Sequence, residues 1–178
     1  MSFWYILQRN VLRDVKRPKS KPRTRYVTDG EFAAVKAVAP MRVKLAMDLA
    51  LITGQRQGDL LSLKWTQLVN DTVQFTQAKT GKKLAIRITA KLEAVLDKCW
   101  MLPNGGQDGS PYVLPTRKGQ RYTSEGFRAV WQRTMKKAIR LGVIKSRHTF
   151  HDLRAKSGSD AKSLQEAFER LGHSSIAM

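Results

Sequence analysis

The residues best suited to chemistry lie near the end of the chain, in His151-Asp152-Leu153-Arg154 and Leu171-Gly172-His173-Ser174-Ser175, with His173 nineteen positions beyond Arg154. Side chains three apart on a helix share a face, so the His151 imidazole and the Arg154 guanidinium can reach one phosphate together. Leu171-Gly172 reads as a helix closed by glycine, which brings the His173 imidazole in from a following helix. All three histidines, His148, His151 and His173, fall in the last 31 residues. The chemistry implied is the handling of a phosphate. Each piece also has a plainer explanation: a helix-capping His151 beside an unrelated arginine, or a structural His173, would give the same letters.

Two earlier stretches can serve the same chemistry. In Thr53-Gly54-Gln55-Arg56-Gln57-Gly58-Asp59-Leu60-Leu61-Ser62-Leu63-Lys64-Trp65, Arg56 stands at a helix start with Asp59 three residues on. A guanidinium held by that carboxylate still presents a fork to phosphate oxygens, although a surface Arg–Asp pair has the same spacing. In Ala78-Lys79-Thr80-Gly81-Lys82-Lys83, Lys79 sits at a turn from which it can swing into a site and donate a proton; a lysine that merely keeps the turn soluble looks identical. No serine-nucleophile motif or metal-ligand spacing accompanies these residues, so neither metal nor cofactor is expected. Cys99 is the sole cysteine and lies on an apolar helical stripe, which excludes a disulfide framework and a thiolate metal site.

Charge narrows the partner. The chain carries 33 Lys+Arg against 14 Asp+Glu, a formal net charge of +19, and so large a cationic excess repels itself unless it meets a polyanion, most commonly nucleic acid. A membrane surface would call for a basic amphipathic helix, which only the first fifteen residues suggest. No apolar run approaches the ~20 residues of a bilayer span, and Phe3-Trp4-Tyr5-Ile6-Leu7 is too short for a signal peptide. The expectation is a soluble, cytoplasmic protein.

These residues need elements to position them. Residues 1–15 read as a short helix and 16–27 as an extended basic linker, where Pro18 and Pro22 remove backbone donors. The domain proper is expected over 28–178. Thr28 and Glu31 form a capping box for a helix with Phe32, Val35 and Val38, ended by Pro40. A second helix carries Met41, Leu45, Leu49 and Ile52 and closes at Thr53-Gly54; a short third carries Leu60, Leu61 and Leu63. The period then changes to two: Val73 and Phe75, then Leu84, Ile86 and Ile88, predict a hairpin turning near Thr80-Gly81. Leu92, Val95, Leu96 and Cys99 mark a helix ended by Pro103, Asn104 to Pro111 a glycine-rich loop, and Tyr112-Val113-Leu114 a short strand. A long helix opens near Thr123, with Phe127, Val130, Trp131, Thr134, Ala138 and Leu141 on one stripe, Gly142 as its cap, and Arg128, Arg133, Lys136, Lys137 and Arg140 on the other face. Two more helices follow, one from near Phe150 and one over 163–171. The fold class is mainly α with a small antiparallel β-sheet.

Singly these signals leave the alternatives open, but their order is specific. Arg in T-G-x-R-x-x-D-L-L-x-L-x-W, Lys in a following hairpin, then H-D-L-R and L-G-H-S-S closely resemble the tyrosine recombinase family, and within it the phage-type integrases. The resemblance runs from about Arg17 to Met178, most of that family's catalytic domain. It implies a DNA breaking-rejoining domain that cuts one strand at a time through a covalent 3′-phosphotyrosine, needs no cofactor, acts on double-stranded attachment sites in a bacterial host's nucleoid, and associates with itself on DNA, as a tetramer in synapsis. By match, Arg56 and Arg154 would clamp the non-bridging phosphoryl oxygens, supported by Asp59. Lys79 would protonate the departing 5′-oxygen, His151 would assist proton transfer, and His173 would hydrogen-bond the scissile phosphate. Lys82, Lys83, Arg117, Lys118 and Arg121 are expected to meet DNA phosphates.

Two departures from the pattern carry expectations of their own. The Arg154-to-His173 interval is a few residues shorter than in the family, which predicts a tight turn around Ser157 to Ser163. The family's nucleophilic tyrosine would fall just past Met178, whereas Tyr5, Tyr26, Tyr112 and Tyr122 all precede His151 and none matches the motif. The chain is therefore expected to be a C-terminally incomplete fragment, inactive for cleavage alone, with residues 1–15 left over from a core-binding domain. The rivals are a non-catalytic DNA-binding remnant or regulator and, on charge alone, an RNA-binding protein; the interleaved aromatic and basic strand expected of an RNA binder is missing.

Overall fold

A computed structural model of the chain describes residues 25–161, Ser163 and Leu171. Six helices occur among them: α1 (Asp29–Val38), α2 (Met41–Thr53), α3 (Gln57–Leu61), α4 (Ala90–Trp100), α5 (Ser124–Arg140) and α6 (Asp152–Ser159). Three strands, β1 (Leu68–Val69), β2 (Thr72–Thr76) and β3 (Lys83–Arg87), pair antiparallel in the order β1-β2-β3. The architecture is the mainly α, small-sheet class expected.

α2 is the axis of the domain. Val43, Leu45, Ala46, Met47, Leu49 and Ala50 are all buried, an all-round apolar helix that can only sit in the middle of others. It packs chiefly on α6 and α4, with α1 and α3 also against it. The predicted stripe misjudged its first residue, because Met41 is 58% exposed where the helix emerges beside Pro40. At the other end Gly54 adopts φ 62° and its N–H closes on Ala50 O. That left-handed step is cheap only for glycine.

The capping box at Thr28 and Glu31 forms as the sequence predicts, and Thr123 caps α5 by accepting from Gly126 N. α5 turns Phe127, Trp131, Thr134, Met135 and Ala138 inward. Leu141, placed on that stripe by its spacing, is 52% exposed, because the helix ends one residue earlier and Gly142 turns away with φ 68°. The edge-on ring contacts of Phe127 with Phe150 and of Trp131 with Phe150, at 5.0 and 5.2 Å between centroids, fix the chain just before α6.

Three local expectations are corrected. Tyr112 to Leu114 form no strand; the stretch makes only the isolated bridge Lys64–Tyr112, with Pro115–Arg121 beyond it, and Val113 and Leu114 are buried as loop residues. The sheet gains β1, joined to β2 through Asn70 and Asp71 at φ 49° and 57°, a turn two residues long that polar side chains tolerate. Ser157 to Ser159 lie inside α6, so the turn expected from Ser157 starts only at Asp160.

Candidate functional site

The end of α2, the start of α3 and the root of the β2–β3 turn meet α6. Arg56 is the residue before α3, in extended conformation, and its Nη1 donates to Gln77 Oε1 at 2.7 Å. Asp59 does not hold it, contrary to the spacing argument; the Asp59 carboxylate accepts from Ala78 N at 3.0 Å through Oδ1, while Oδ2 is buried without a hydrogen bond. Asp59 thus ties the turn that carries Lys79 to α3.

Arg154 is buried, 6% exposed. Its Nη1 donates to Gly54 O and its Nη2 to Leu171 O at 2.6 Å. Burial, reinforced by the nearby Arg56 charge and opposed by Asp59, pulls its pKa down to about 10, so the guanidinium stays charged at neutral pH. Of its five N–H donors these bonds use two, and Arg56 likewise keeps donors free. Two guanidiniums joined through Gln77 and Leu171 O, one buried and one half-buried, with the Asp59 carboxylate near Arg154, make a place where an oxyanion is favoured.

Gln77 is the residue that motif reading missed. It is fully buried; besides accepting from Arg56 it accepts from Thr80 Oγ1 at 3.0 Å, and its Nε2 donates to Gln55 Oε1 at 2.9 Å and Leu171 O at 3.2 Å. The available signal was its parity: in the alternation Val73, Phe75, Gln77, a polar side chain takes an inward position.

The structure therefore brings Arg56, Arg154, Asp59 and the Lys79 turn into one neighbourhood. Lys79 itself is exposed, as is His151 at the residue preceding α6. His173 lies outside the described residues, as do the predicted helix at 1–15 and nearly all of that at 163–171. Lys83 is exposed and Lys82 half-buried on the β2–β3 hairpin, while Arg117, Lys118 and Arg121 are exposed around the Pro115–Arg121 bridge. Arg117 lines a basic cavity of about 610 Å3 with Arg42, Tyr122 and Arg133, and Arg42 secures that loop through Pro115 O at 2.9 Å. Among the described residues no cluster of His, Cys, Asp or Glu could hold a metal, and no helix is long and apolar enough to cross a membrane. Cys99 is buried, its thiol pushed up to about 12 chiefly by that burial.

The phage integrase family model matches residues 31–178. An integrase of Enterobacteria phage 434 is 31% identical over 182 residues, covering 95% of this chain and 49% of that protein; the chain thus spans about half the length of the curated relatives it matches. The lambda integrase catalytic core superposes with a TM-score of 0.70 at 28% identity, over 85% of this chain and 92% of that one. A lambda integrase tetramer bound to a Holliday junction gives 0.75 at 28% identity, over 92% and 51%.

Proposed function

This chain belongs to the phage integrase family, and from that premise we propose that it serves site-specific DNA recombination, breaking and rejoining strands through a 3′-phosphotyrosine. The observation that carries the reading is the Arg56–Arg154 pair, linked through one chain of hydrogen bonds in which Arg56 donates to Gln77 and both Gln77 and Arg154 donate to Leu171 O, with donors left over on each guanidinium. Such a pair is stabilised when the phosphoryl group gathers negative charge in a pentacoordinate transition state.

In the proposed step a tyrosine oxygen bonds to phosphorus and its proton passes to His151, while the bond to the 5′-oxygen breaks and Lys79 supplies the proton that the departing oxygen takes up. Asp59 fixes the root of the Lys79 turn, so that the lysine moves on a short tether. His151 and His173 act on the same phosphate, the first in proton transfer and the second as a donor. Keeping the phosphodiester energy in a covalent bond allows resealing with no external energy source. Tyr26 does not supply the attacking oxygen in this scheme, since its hydroxyl is spent on Asp160 at 2.5 Å and on Lys156. None of Tyr5, Tyr112 or Tyr122 matches the nucleophile's motif. The partners proposed are duplex DNA and further copies of the protein assembled on it.

A nicked suicide duplex bearing the attachment site tests the scheme. The 178 residues alone are expected to yield no denaturation-resistant protein–DNA band, and the chain extended past Met178 through the next tyrosine, with its other domains present, is expected to yield one. In that extended protein Arg56→Ala or Arg154→Ala should slow cleavage by about 10²-fold or more. Unslowed cleavage by either variant would remove the clamp. A band from the 178-residue chain, lost on replacing one of its own tyrosines, would relocate the nucleophile. A complete protein that binds the site but never forms the adduct would leave only the DNA-binding reading.

A further inference from the structure

Of the residues α6 buries, only Leu153 is apolar; the others are Arg154, Lys156 and Ser157. An eight-residue helix with so small an apolar face is not oriented by hydrophobic packing alone. Its setting depends on two polar anchors that leave it in different directions, being two residues apart on a period of about 3.6. Arg154 is the first, tied to the end of α2 at Gly54 and to Leu171. Lys156 is the second, and nothing in the proposed chemistry uses it.

The Lys156 side chain is 0% exposed. Its ammonium meets Asp29 Oδ1 at 2.6 Å and Asp160 Oδ2 at 2.8 Å, donates to Tyr26 Oη at 3.1 Å, and lies 4.9 Å from the centroid of the Tyr26 ring. Burial alone would lower its pKa, but the hydrogen bonds to Asp160, Asp29 and Tyr26 outweigh that and raise it, so the charge is permanent. Two of those three partners stand at the entrance of the chain into the domain, more than 120 residues away in sequence. The same entrance is stitched to the segment before α6: Arg25 donates to Ser146 Oγ and to Arg147 O at 2.8 Å, and pairs with Glu31 at 2.5 Å.

We propose that Lys156 is a positioning residue for Arg154: clasped by Asp29, Asp160 and Tyr26, it locks α6 to the chain entrance, so that the Arg154 guanidinium keeps its setting only while residues 25–29 are docked. Undocking that strap strips the ammonium of Asp29 and Tyr26 and leaves it Asp160 alone, a partner within the same helical turn, so that α6 loses the contacts that fix its orientation against the chain entrance. The importance given to Arg154 rests on the function proposed above; the lock itself rests on geometry alone.

Hydrogen exchange on the whole chain, its Lys156→Met variant and its Lys156→Arg variant reads the lock directly. In K156M, which keeps length and loses charge, amides over 153–160 should exchange at least about tenfold faster while those of α2 and α4 stay within about twofold. K156R can still span both carboxylates and should stay within about threefold of the parent. Uniform acceleration through all helices, or none anywhere, overturns the proposal. The link to Arg154 is read from duplex DNA affinity in a double-mutant cycle: K156M should weaken binding about fivefold when Arg154 is present and by less than twofold in R154A. Equal losses in both backgrounds overturn it. If the parent chain bound no DNA, the proposed function would fall, and the exchange pattern would still decide on Lys156.

Discussion

His148 is a buried imidazole whose surroundings set a pH dependence. It is 4% exposed, its ring packs against Trp131 at 5.6 Å, and Trp131 Nε1 donates to its carbonyl at 3.2 Å. Neither ring nitrogen has a hydrogen-bond partner among the described residues. Burial, then the Arg25 charge, lowers its pKa below the ordinary 6.5, against weaker pulls from Glu31 and Asp152. The folded state therefore binds fewer protons than the unfolded one, and stability rises with pH in this window. The contribution is complete above the unfolded pKa and is lost as pH falls from there through the depressed folded value. Thermal unfolding followed from about pH 7.5 to about pH 5.5 should show a falling Tm, and His148→Phe should flatten that slope. At the site itself, Gln77→Ala removes the acceptor of Arg56 Nη1 and the donor to Gln55 Oε1 and Leu171 O. A loss of about 1–3 kcal/mol in urea unfolding is expected, with weaker DNA binding because the Arg56 guanidinium is no longer oriented.

Among the elements, α2 carries the site by where it stops. Gly54 ends it in the left-handed region, with φ 62°, and hands its carbonyl to Arg154. Gly54→Ala pays the left-handed penalty of about 1 kcal/mol and shifts that carbonyl, so duplex affinity should fall along with the denaturation midpoint. A substitution on α5 provides the contrast. Thr123→Ala removes the cap from Gly126 N and should cost about 1 kcal/mol in chemical unfolding while leaving DNA affinity per folded molecule within about twofold, because Thr123 takes no part in the ring contacts that join α5 to the segment before α6. If T123A weakened DNA binding as much as G54A, the site would depend on general stability rather than on the end of α2.

For the whole molecule, a net charge of +19 makes phosphate contacts the main source of affinity, and binding measured between about 50 and 200 mM salt should weaken at least tenfold; a change under twofold would refute the counterion-release argument. Several local contacts were determined by the sequence alone. The Thr28–Glu31 box, the Thr123 cap, the Gly54 turn and the β2–β3 alternation each depend on side chains a few positions apart, and covalent connectivity fixes those distances in advance. Order along the chain was enough to point to the family whose model matches residues 31–178, because the succession of Arg56, Lys79, His151, Arg154 and His173 is written in the sequence itself. Folding decided what no spacing encodes: that Gln77 rather than Asp59 orients Arg56, that Asp59 turns to the Ala78 amide, that Met41 and Leu141 leave their stripes for solvent, and that Lys156, to all appearance another surface lysine, is buried against Asp29 and Tyr26. These contacts join residues from about 20 to 130 positions apart. Their partners are chosen by how helices pack around α2, since most buried polar groups bond to whatever packing brings within reach.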